Sequence, residues 1–443
     1  MVIPFAVGTG VVVIAVAVAV VLVVLFVTAS MRGRQKRGAQ RRSETRRELD
    51  DAQQRAARPD EIVAMQDLLR ECLQAGAVGL STSFVDVDEN GHPVPSRFAS
   101  FDELDALCAV LGERGRMLQI VPEFYATDIT LARVDQLAEL SISHNIPTTF
   151  SPLFDSAATP NNVPRVMARV EEQFARGARV WPQMQTRPID ISFSLLRPSL
   201  FFGRLPRWVR VLRLPLAERL ASLQNPAIVD KMIEDAGPDG GTAIFAELVV
   251  RGGDEAPAEL AGRTLGDIAA ERGEAPARAL INLSLEHGLD VAFLAASRGH
   301  DATARIGPML ASPYMHIGAS DGGAHLASFA TYGDTGYLFS EFVRKSGALS
   351  LEAAVKKITS DTAEIWGLKD RGLLQAGKAA DIVVFDADAI GRGAERPQFD
   401  MPGDGMRYVR DALGVEAVVV NGEVAWADGA YTEARAGVVC ELA

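Results

Sequence analysis

The sequence predicts an α/β protein built as a (β/α) barrel, with a small β module at its C-terminal end. Between Pro59 and Ala319, short apolar runs of strand length alternate with stretches of helical periodicity. That alternation is typical of parallel strands joined by helices. After residue 370 the pattern changes, because Val415–Val420 is rich in β-branched residues and Asn421-Gly422 is a hairpin turn signal. The second pattern predicts an antiparallel module of its own.

Four segments divide the 443 residues. They are a transmembrane anchor at 1–31, a basic juxtamembrane segment at 32–58, the barrel portion at 59–370 and the β module at 371–443. The formal net charge is −12, and the segment from Arg32 to Arg58 holds ten Lys/Arg and four Asp/Glu. The rest of the chain is therefore strongly acidic, which argues against a nucleic-acid-binding surface.

The N-terminal segment from Ile3 to Ala29 contains 27 residues without a charge. A helix of about 20 apolar residues crosses a bilayer. A secretory signal peptide is the weaker interpretation, because no basic residue precedes the run and the run is too long. The basic residues that follow place the remainder of the chain in the cytoplasm by the positive-inside rule. The sequence therefore predicts a single-pass membrane protein anchored through residues 3–29.

The barrel portion has strands and helices in regular succession. Helical periodicity covers Glu61–Gln74, Leu131–His144 and Leu265–His287. Residues 187–240 have no clear period and are predicted to form an insertion over the active face. The predicted strands are Ala77–Thr82, Met117–Val121, Pro147–Phe150, Ala178–Gln183, Thr242–Val250, Asp290–Ala295 and Tyr314–Ala319. The three cysteines (Cys72, Cys108 and Cys440) form no Cys-x-x-Cys pair, which indicates a reducing compartment and no thiolate metal cluster.

The last predicted barrel strand ends in Ser-Asp-Gly-Gly, with His325 four residues after Asp321. Chemistry in a (β/α) barrel lies at the carboxyl ends of the strands. There, Asp321 would bind a divalent metal or accept a proton from a metal-bound water. The alternative is that Asp321 closes an Asx turn or caps the next helix. His316, inside the same strand, is interpreted as a core histidine.

Three sequence segments together resemble the amidohydrolase superfamily, and within it the N-acyl-D-amino-acid deacylases, or D-aminoacylases. They are SDGGAH at 320–325, LSLEAAVKKITSDTAEIWGLKDRGLLQAGKAADIVVFD at 349–386 and VVVNGEVAWADGAYT at 418–432. The segment AMQDLLRECLQAGAVGLSTSF at 64–84 is also similar to that subfamily. The resemblance extends from about Pro59 to the C-terminus.

The resemblance implies a metal-dependent barrel enzyme that hydrolyses amide bonds with zinc at the strand ends. Asp321 matches the family aspartate that binds metal and transfers the proton. Glu123 is a candidate second metal ligand, or else a loop carboxylate. Arg187 is a candidate for binding a substrate carboxylate through a bidentate contact, or else a surface arginine. His325 is a candidate substrate-binding residue, or else packs on the next helix.

The chain also departs from the family pattern. The family's first barrel strand ends in a His-x-His pair, and none of the six histidines here forms one. At the ends of two middle strands, where the family has histidine ligands, this chain has Gln119-Ile-Val-Pro-Glu123 and Thr149-Phe-Ser-Pro152. The family's first strands and half of its β module have no counterpart. An oligomer or a partner chain would then complete the barrel.

Two hypotheses remain from the sequence. The first is a zinc-dependent deacylase of N-acyl-D-amino acids, attached to the cytoplasmic side of a membrane, with Asp321 at the catalytic centre. The second is a catalytically inactive amidohydrolase-like domain that serves as a membrane-anchored scaffold, or a truncated fragment of the enzyme. A transporter is a poor interpretation, because only one stretch is long enough to span a bilayer.

Overall fold

The computed structural model describes residues 55–88, 92–124, 126–155, 161–251, 258–298, 300, 303–318, 322–330, 332–440 and 442. The predicted anchor at 3–29 and Asp321 lie outside these ranges, so membrane attachment and the role of Asp321 remain predictions. Within the described ranges, no helix combines the length and apolar character needed to cross a membrane.

Five parallel strands with helices packed against one face form the first part of the fold. The strands and helices up to β4 are α1 (Pro59–Gln74), β1 (Gly79–Ser83), α2 (Phe101–Gly112), β2 (Met117–Val121), α3 (Thr127–His144), β3 (Thr148–Phe150), α4 (Asn162–Ala175) and β4 (Val180–Met184). The fifth strand is β8 (His316–Ile317), and the order across the sheet is β1-β2-β3-β4-β8. Among the described residues this sheet is open, with β1 and β8 as its two edges.

A second layer interrupts the barrel pattern between β4 and β8. Its elements are β5 (Ile189–Phe193), α5 (Pro206–Leu212), α6 (Leu216–Leu223), α7 (Pro226–Asp235), α8 (Thr242–Phe245), β6 (Val249–Val250), α9 (Leu265–Arg272), α10 (Pro276–Glu286) and β7 (Phe293–Arg298). The next helix, α11 (Thr303–Leu310), packs in the main core against α4. The three strands form an antiparallel sheet in the order β5-β7-β6. This layer has its own hydrophobic core, which contains Trp208 and Phe245.

Two predicted barrel strands are therefore wrong. Thr242–Val250 begins with the short helix α8, and only its last two residues form a strand, β6. Asp290–Ala295 corresponds to β7, which pairs antiparallel with β5 instead of joining the parallel sheet. A short buried apolar run has the same appearance in parallel and antiparallel sheets, so its sequence does not reveal its partner.

The chain after β8 is helical and then β-rich, as predicted. The helices are α12 (Asp334–Tyr337), a π-helix (Leu338–Lys345), α13 (Leu351–Ile358) and α14 (Ser360–Trp366). The strands are β9 (Ile382–Phe385), β10 (Gly391–Arg392), β11 (Arg396–Met401), β12 (Gly405–Val409), β13 (Ala412–Leu413), β14 (Val415–Val420), β15 (Glu423–Ala427) and β16 (Ala430–Tyr431). The predicted Asn421-Gly422 hairpin joins β14 to β15.

The C-terminal sheet, in the order β16-β15-β14-β9, is apolar but poorly covered. None of its strand residues is buried. Val383 and Val384, which are neighbours on β9, point to opposite faces of a strand and are 52% and 44% exposed. Phe385 packs against Phe339 of the main core, with the ring centroids 5.4 Å apart. Both faces of this sheet are therefore in contact with solvent.

The pairing of β1 with β2 depends on a glycine. Gly79 lies opposite Met117, and a Cβ at Gly79 would stand 2.1 Å from the Met117 carbonyl oxygen. Gly79→Ala should therefore lower the free energy of unfolding by about 2 kcal/mol or more, since overpacked sites force backbone shifts. Urea unfolding followed by circular dichroism measures this loss. Gly437→Ala is the matched control, because no atom lies within 4 Å of its Cβ. Equal stability of the two variants would contradict the prediction.

Candidate functional site

Polar side chains cross the five-stranded sheet on the face opposite the helices. We call these residues the polar row: Ser81, Gln119, Thr149, Gln183 and His316. At least one strand neighbour of each belongs to the helix-packed core, so alternation directs the row to the other face. The row continues from the exposed Ser81 at the β1 edge to the buried Thr149, Gln183 and His316.

Hydrogen bonds fix the polar row in place. The Ser81 hydroxyl donates to Gln119 Oε1. Gln183 Nε2 donates to Thr149 Oγ1 over 3.1 Å, and Thr149 Oγ1 donates to the Trp181 carbonyl over 2.7 Å. These side chains are neutral, so the row offers amide and hydroxyl groups and no formal charge. It suits a polar, uncharged group of a ligand.

His316 ends the polar row at the β8 edge. Trp366 Nε1 donates to His316 Nε2 over 3.2 Å. The His316 Nδ1 atom is buried and has no hydrogen-bond partner among the described residues. Burial, and after it the positive charge of Lys357, lowers the pKa of His316 to about 4. The imidazole is therefore neutral at physiological pH.

The lowered pKa of His316 predicts a loss of stability in mild acid. An unfolded histidine has a pKa of about 6.5, so below that pH the unfolded chain gains a proton that the folded chain does not. The contribution of neutral His316 to the free energy of unfolding is fully present above pH 6.5. As the pH falls to 4, the free energy of unfolding should decrease by up to about 3 kcal/mol. Urea unfolding at a series of pH values measures the slope, and His316→Gln should flatten it. An unchanged slope in His316→Gln would contradict this assignment.

Glu123, the predicted metal ligand, is paired with an arginine. Its two carboxylate oxygens accept from Arg133 Nε and Nη2 at 3.0 and 2.8 Å. The Arg133 guanidinium also lies 3.8 Å from the centroid of the Phe84 ring. Burial alone would raise the pKa of Glu123, but hydrogen bonding and charge from Arg133 outweigh it and lower the pKa. A metal at Glu123 would have to compete with Arg133.

Arg187, the predicted substrate-binding residue, is buried instead of lying on a surface loop. Its Nε donates to Asp334 Oδ2 over 3.0 Å, and only 1% of the residue is exposed. Thr186 Oγ1 donates to the Asp334 carbonyl over 2.7 Å. These contacts connect the residues after β4 to the start of α12. Direct contact between Arg187 and a substrate carboxylate remains a prediction. The substrate carboxylate would have to share the Arg187 guanidinium with Asp334.

His325, also predicted to bind substrate, is exposed. Its backbone φ is +53°, and its ring stacks on Phe329 with centroids 5.5 Å apart. Its carbonyl accepts from the backbone N–H groups of Ser328 and Phe329, which closes a turn. Asp321, four residues earlier, lies outside the described residues. The substrate-binding role of His325 therefore stays a prediction.

The described residues do not fit a zinc site. In the described ranges, no group of three His, Cys, Asp or Glu side chains has an arrangement that could hold a metal ion. The polar row has neutral amides and hydroxyls, and Glu123 is held by Arg133. Zinc prefers histidine, cysteine and carboxylate ligands. We therefore assign no step of a reaction to a metal.

The sequence predicted some residues of the candidate site, but it did not predict the side chains with which they pair. Gln119 and Thr149 were visible as polar residues on predicted strands. The pairing of Arg133 with Glu123, and of Asp334 with Arg187, joins residues on different elements. No sequence spacing predicts the second pair, which is 147 positions apart.

The parallel sheet and the helices on one of its faces define an α/β protein. Residues 233–425 match the amidohydrolase family model. The resemblance predicted from the sequence is thereby confirmed, and the D-aminoacylases are among its relatives.

Individual relatives support the same assignment. The chain is 28% identical over 396 residues to D-aminoacylase of Alcaligenes xylosoxydans xylosoxydans, covering 87% of this chain and 66% of that one. It is 27% identical to N-acyl-D-glutamate deacylase of the same organism, covering 83% and 62%. An uncharacterized protein of Mycobacterium tuberculosis is also 27% identical, with coverage of 76% and 58%. The chain thus spans 58–66% of the length of these curated relatives.

Solved structures show the same fold. A D-aminoacylase with a binuclear metal centre superposes with a TM-score of 0.54 at 23% identity, covering 88% of this chain and 68% of that one. N-acyl-D-glutamate deacylase of Bordetella bronchiseptica, complexed with zinc and a phosphonate inhibitor, superposes with a TM-score of 0.54 at 23% identity. The match covers 86% of this chain and 66% of that one. The fold of this chain is therefore of the amidohydrolase type.

Proposed function

We propose that this chain is a hydrolase that cleaves the amide bond of N-acyl-D-amino acids. The similarity to D-aminoacylase across 87% of the chain is the observation that carries the proposal. The match of residues 233–425 to the amidohydrolase family model supports the reaction class. The D configuration of the substrate is taken from the names of the relatives.

The polar row supports an amide substrate for a physical reason. An amide group has one strong acceptor and one donor, and it carries no charge. The hydroxyl and amide groups of Thr149, Gln183 and Gln119 are neutral partners of the same kind. Asp321 follows β8 by four positions, and we propose that it accepts a proton from the water that attacks the amide carbonyl and passes this proton to the leaving amine nitrogen.

Hydrolysis of paired substrates by the purified full chain tests the proposal. N-acetyl-D-amino acids and their L-enantiomers are incubated with the protein, and release of the free amino acid is measured together with bound zinc. We expect hydrolysis of the D series, and Asp321→Asn should reduce it by about 10²–10⁴-fold. Glu416→Gln, an exposed carboxylate on β14, is the control and should retain activity. Absence of hydrolysis after zinc loading would remove the enzymatic proposal.

A scaffold function is the second candidate. The observation that favours it is the lack of a metal-ligand group in the described ranges, together with the absence of a His-x-His pair from the sequence. A folded, metal-free, inactive protein that binds a defined partner would support the scaffold. Zinc near one equivalent, with activity lost in Asp321→Asn, would support the enzyme.

We also propose that another chain completes the parallel sheet. Its edges β1 and β8 each have a single neighbour in the described part of the molecule. Unpaired strand edges readily accept another strand. Light scattering coupled to gel filtration measures the assembly, and a monomer that hydrolyses substrate would exclude this proposal.

A further inference from the structure

Two arginine side chains converge on Gly333, immediately before α12. A Cβ built on Gly333 would lie 3.0 Å from Arg410 Cδ and 3.4 Å from Arg392 Cδ. The Arg392 guanidinium lies 4.4 Å from the centroid of the Tyr337 ring. The φ of Gly333 is +98°, a conformation that glycine adopts without strain. A residue with a side chain at this position would displace the arginines.

Three polar atoms around this point are buried and have no hydrogen-bond partner in the described part of the chain. They are Arg392 Nη1, Arg410 Nε and Asp334 Oδ1. A buried polar group without a partner costs about 1–3 kcal/mol, and more when it is charged. The first two atoms are donors, whereas Asp334 Oδ1 accepts a hydrogen bond. A ligand that satisfies all three must therefore both accept and donate.

The charges around Gly333 also favour an anion. Four guanidinium groups interact with three carboxylates in this cluster: Arg187, Arg251, Arg392 and Arg410 with Asp190, Asp334 and Glu395. The cluster thus has one more formal positive charge than negative charges. Burial, and then the positive charges of Arg410 and Arg187, lowers the pKa of Arg392. Arg392 as a residue is partly exposed, but its Nη1 atom is buried, so a bound anion has to displace the side chains that cover that atom.

We propose that Arg392, Arg410 and Asp334 bind a protonated phosphate group, either free hydrogen phosphate or a phosphate monoester. The phosphate oxygens accept from Arg392 Nη1 and Arg410 Nε, and the phosphate hydroxyl donates to Asp334 Oδ1. Sulfate carries no proton at neutral pH, so it would leave Asp334 Oδ1 facing an oxyanion without a hydrogen bond. The site therefore prefers phosphate to sulfate. This inference is independent of the proposed hydrolase activity.

Thermal unfolding and titration calorimetry of the full chain test the site. Sodium phosphate is compared with sodium sulfate at equal ionic strength. Phosphate should raise the unfolding midpoint by about 2–5 °C at saturating concentration, and sulfate should not. Glycerol 2-phosphate distinguishes a phosphate monoester from free hydrogen phosphate as the ligand. A monoester site binds it as tightly as phosphate, whereas a site for free phosphate does not bind it. No response to any phosphate, or an equal response to sulfate, would overturn the proposal.

Variants tie the response to these residues. Arg392→Gln should weaken phosphate binding by about 10–100-fold, the usual effect of losing a charged hydrogen bond. Arg396→Gln is the control, because Arg396 is exposed and pairs with Asp411. If Arg392→Gln does not fold, Arg392→Lys gives the same comparison, since it retains the charge but lacks the planar guanidinium. Unchanged phosphate affinity in the Arg392 variant would overturn the assignment.

Discussion

Trp208→Ala is expected to lower the free energy of unfolding by about 3–5 kcal/mol, the range for removing a large buried side chain. Trp208 is fully buried in the core of the second layer. Its ring stacks on Phe202 at 5.4 Å and contacts Phe245 at 5.0 Å between centroids. Its Nε1 donates to the Met232 carbonyl over 2.7 Å, and the substitution removes this bond, although the carbonyl still accepts from the Ala236 N–H.

Urea unfolding of the full chain, followed by circular dichroism, measures this effect. Leu216→Ala in α6 is the matched control, because Leu216 is 48% exposed and its loss should change stability by about 0.5 kcal/mol or less. Because the second layer has its own core, the loss should appear mainly as earlier unfolding of that layer. A cost below about 1 kcal/mol for Trp208→Ala would contradict the described packing.

Asp334→Ala should cost about 3–5 kcal/mol, because it leaves the buried Arg187 guanidinium without its carboxylate. Burial raises the pKa of Asp334, and the charge of Arg187 opposes that rise only in part. Because the pKa of Asp334 is raised, the cost of burying its charged form exceeds the stabilisation that this charge gains from Arg187. Breaking the pair should therefore be much worse than replacing both members.

The double variant Arg187→Met/Asp334→Leu tests that reasoning. Its stability should lie close to that of the natural chain, because apolar residues of similar volume often replace a buried ion pair without loss. A double-mutant cycle in urea, with Arg187→Met as the second single variant, gives the interaction energy. If the double variant is as unstable as Asp334→Ala, the pair contributes through contacts other than its charges.

The sequence predicted local structure better than it predicted the partners of each strand. The first four strands and the last strand of the parallel sheet lie where alternation of apolar runs placed them. β7 was assigned to the wrong sheet, because its residues are buried in either arrangement. The helical layer at 206–235 was read as an aperiodic insertion, because its helices are only seven to ten residues long.

The candidate site was predictable where its residues lie on strands, and unpredictable where contacts join distant elements. Glu123 was proposed as a metal ligand because it follows β2, but the helix-borne Arg133 occupies its carboxylate. Arg187 was proposed to bind a substrate carboxylate or else to lie on the surface, but it is buried and pairs with Asp334, 147 positions later in the chain. The partner of a long side chain depends on which elements the fold brings together. The spacing of residues in the sequence does not show this.

The C-terminal sheet has a consequence for how the molecule opens. Both faces of this sheet already contact solvent. Separating it from the main core therefore exposes little additional apolar surface. Segments with few buried contacts open locally, at a free energy below that of global unfolding. Amide protons of β14 and β15 should therefore exchange with deuterium well before those of β2 and β3. Limited proteolysis should then release the C-terminal strands and leave the parallel sheet intact.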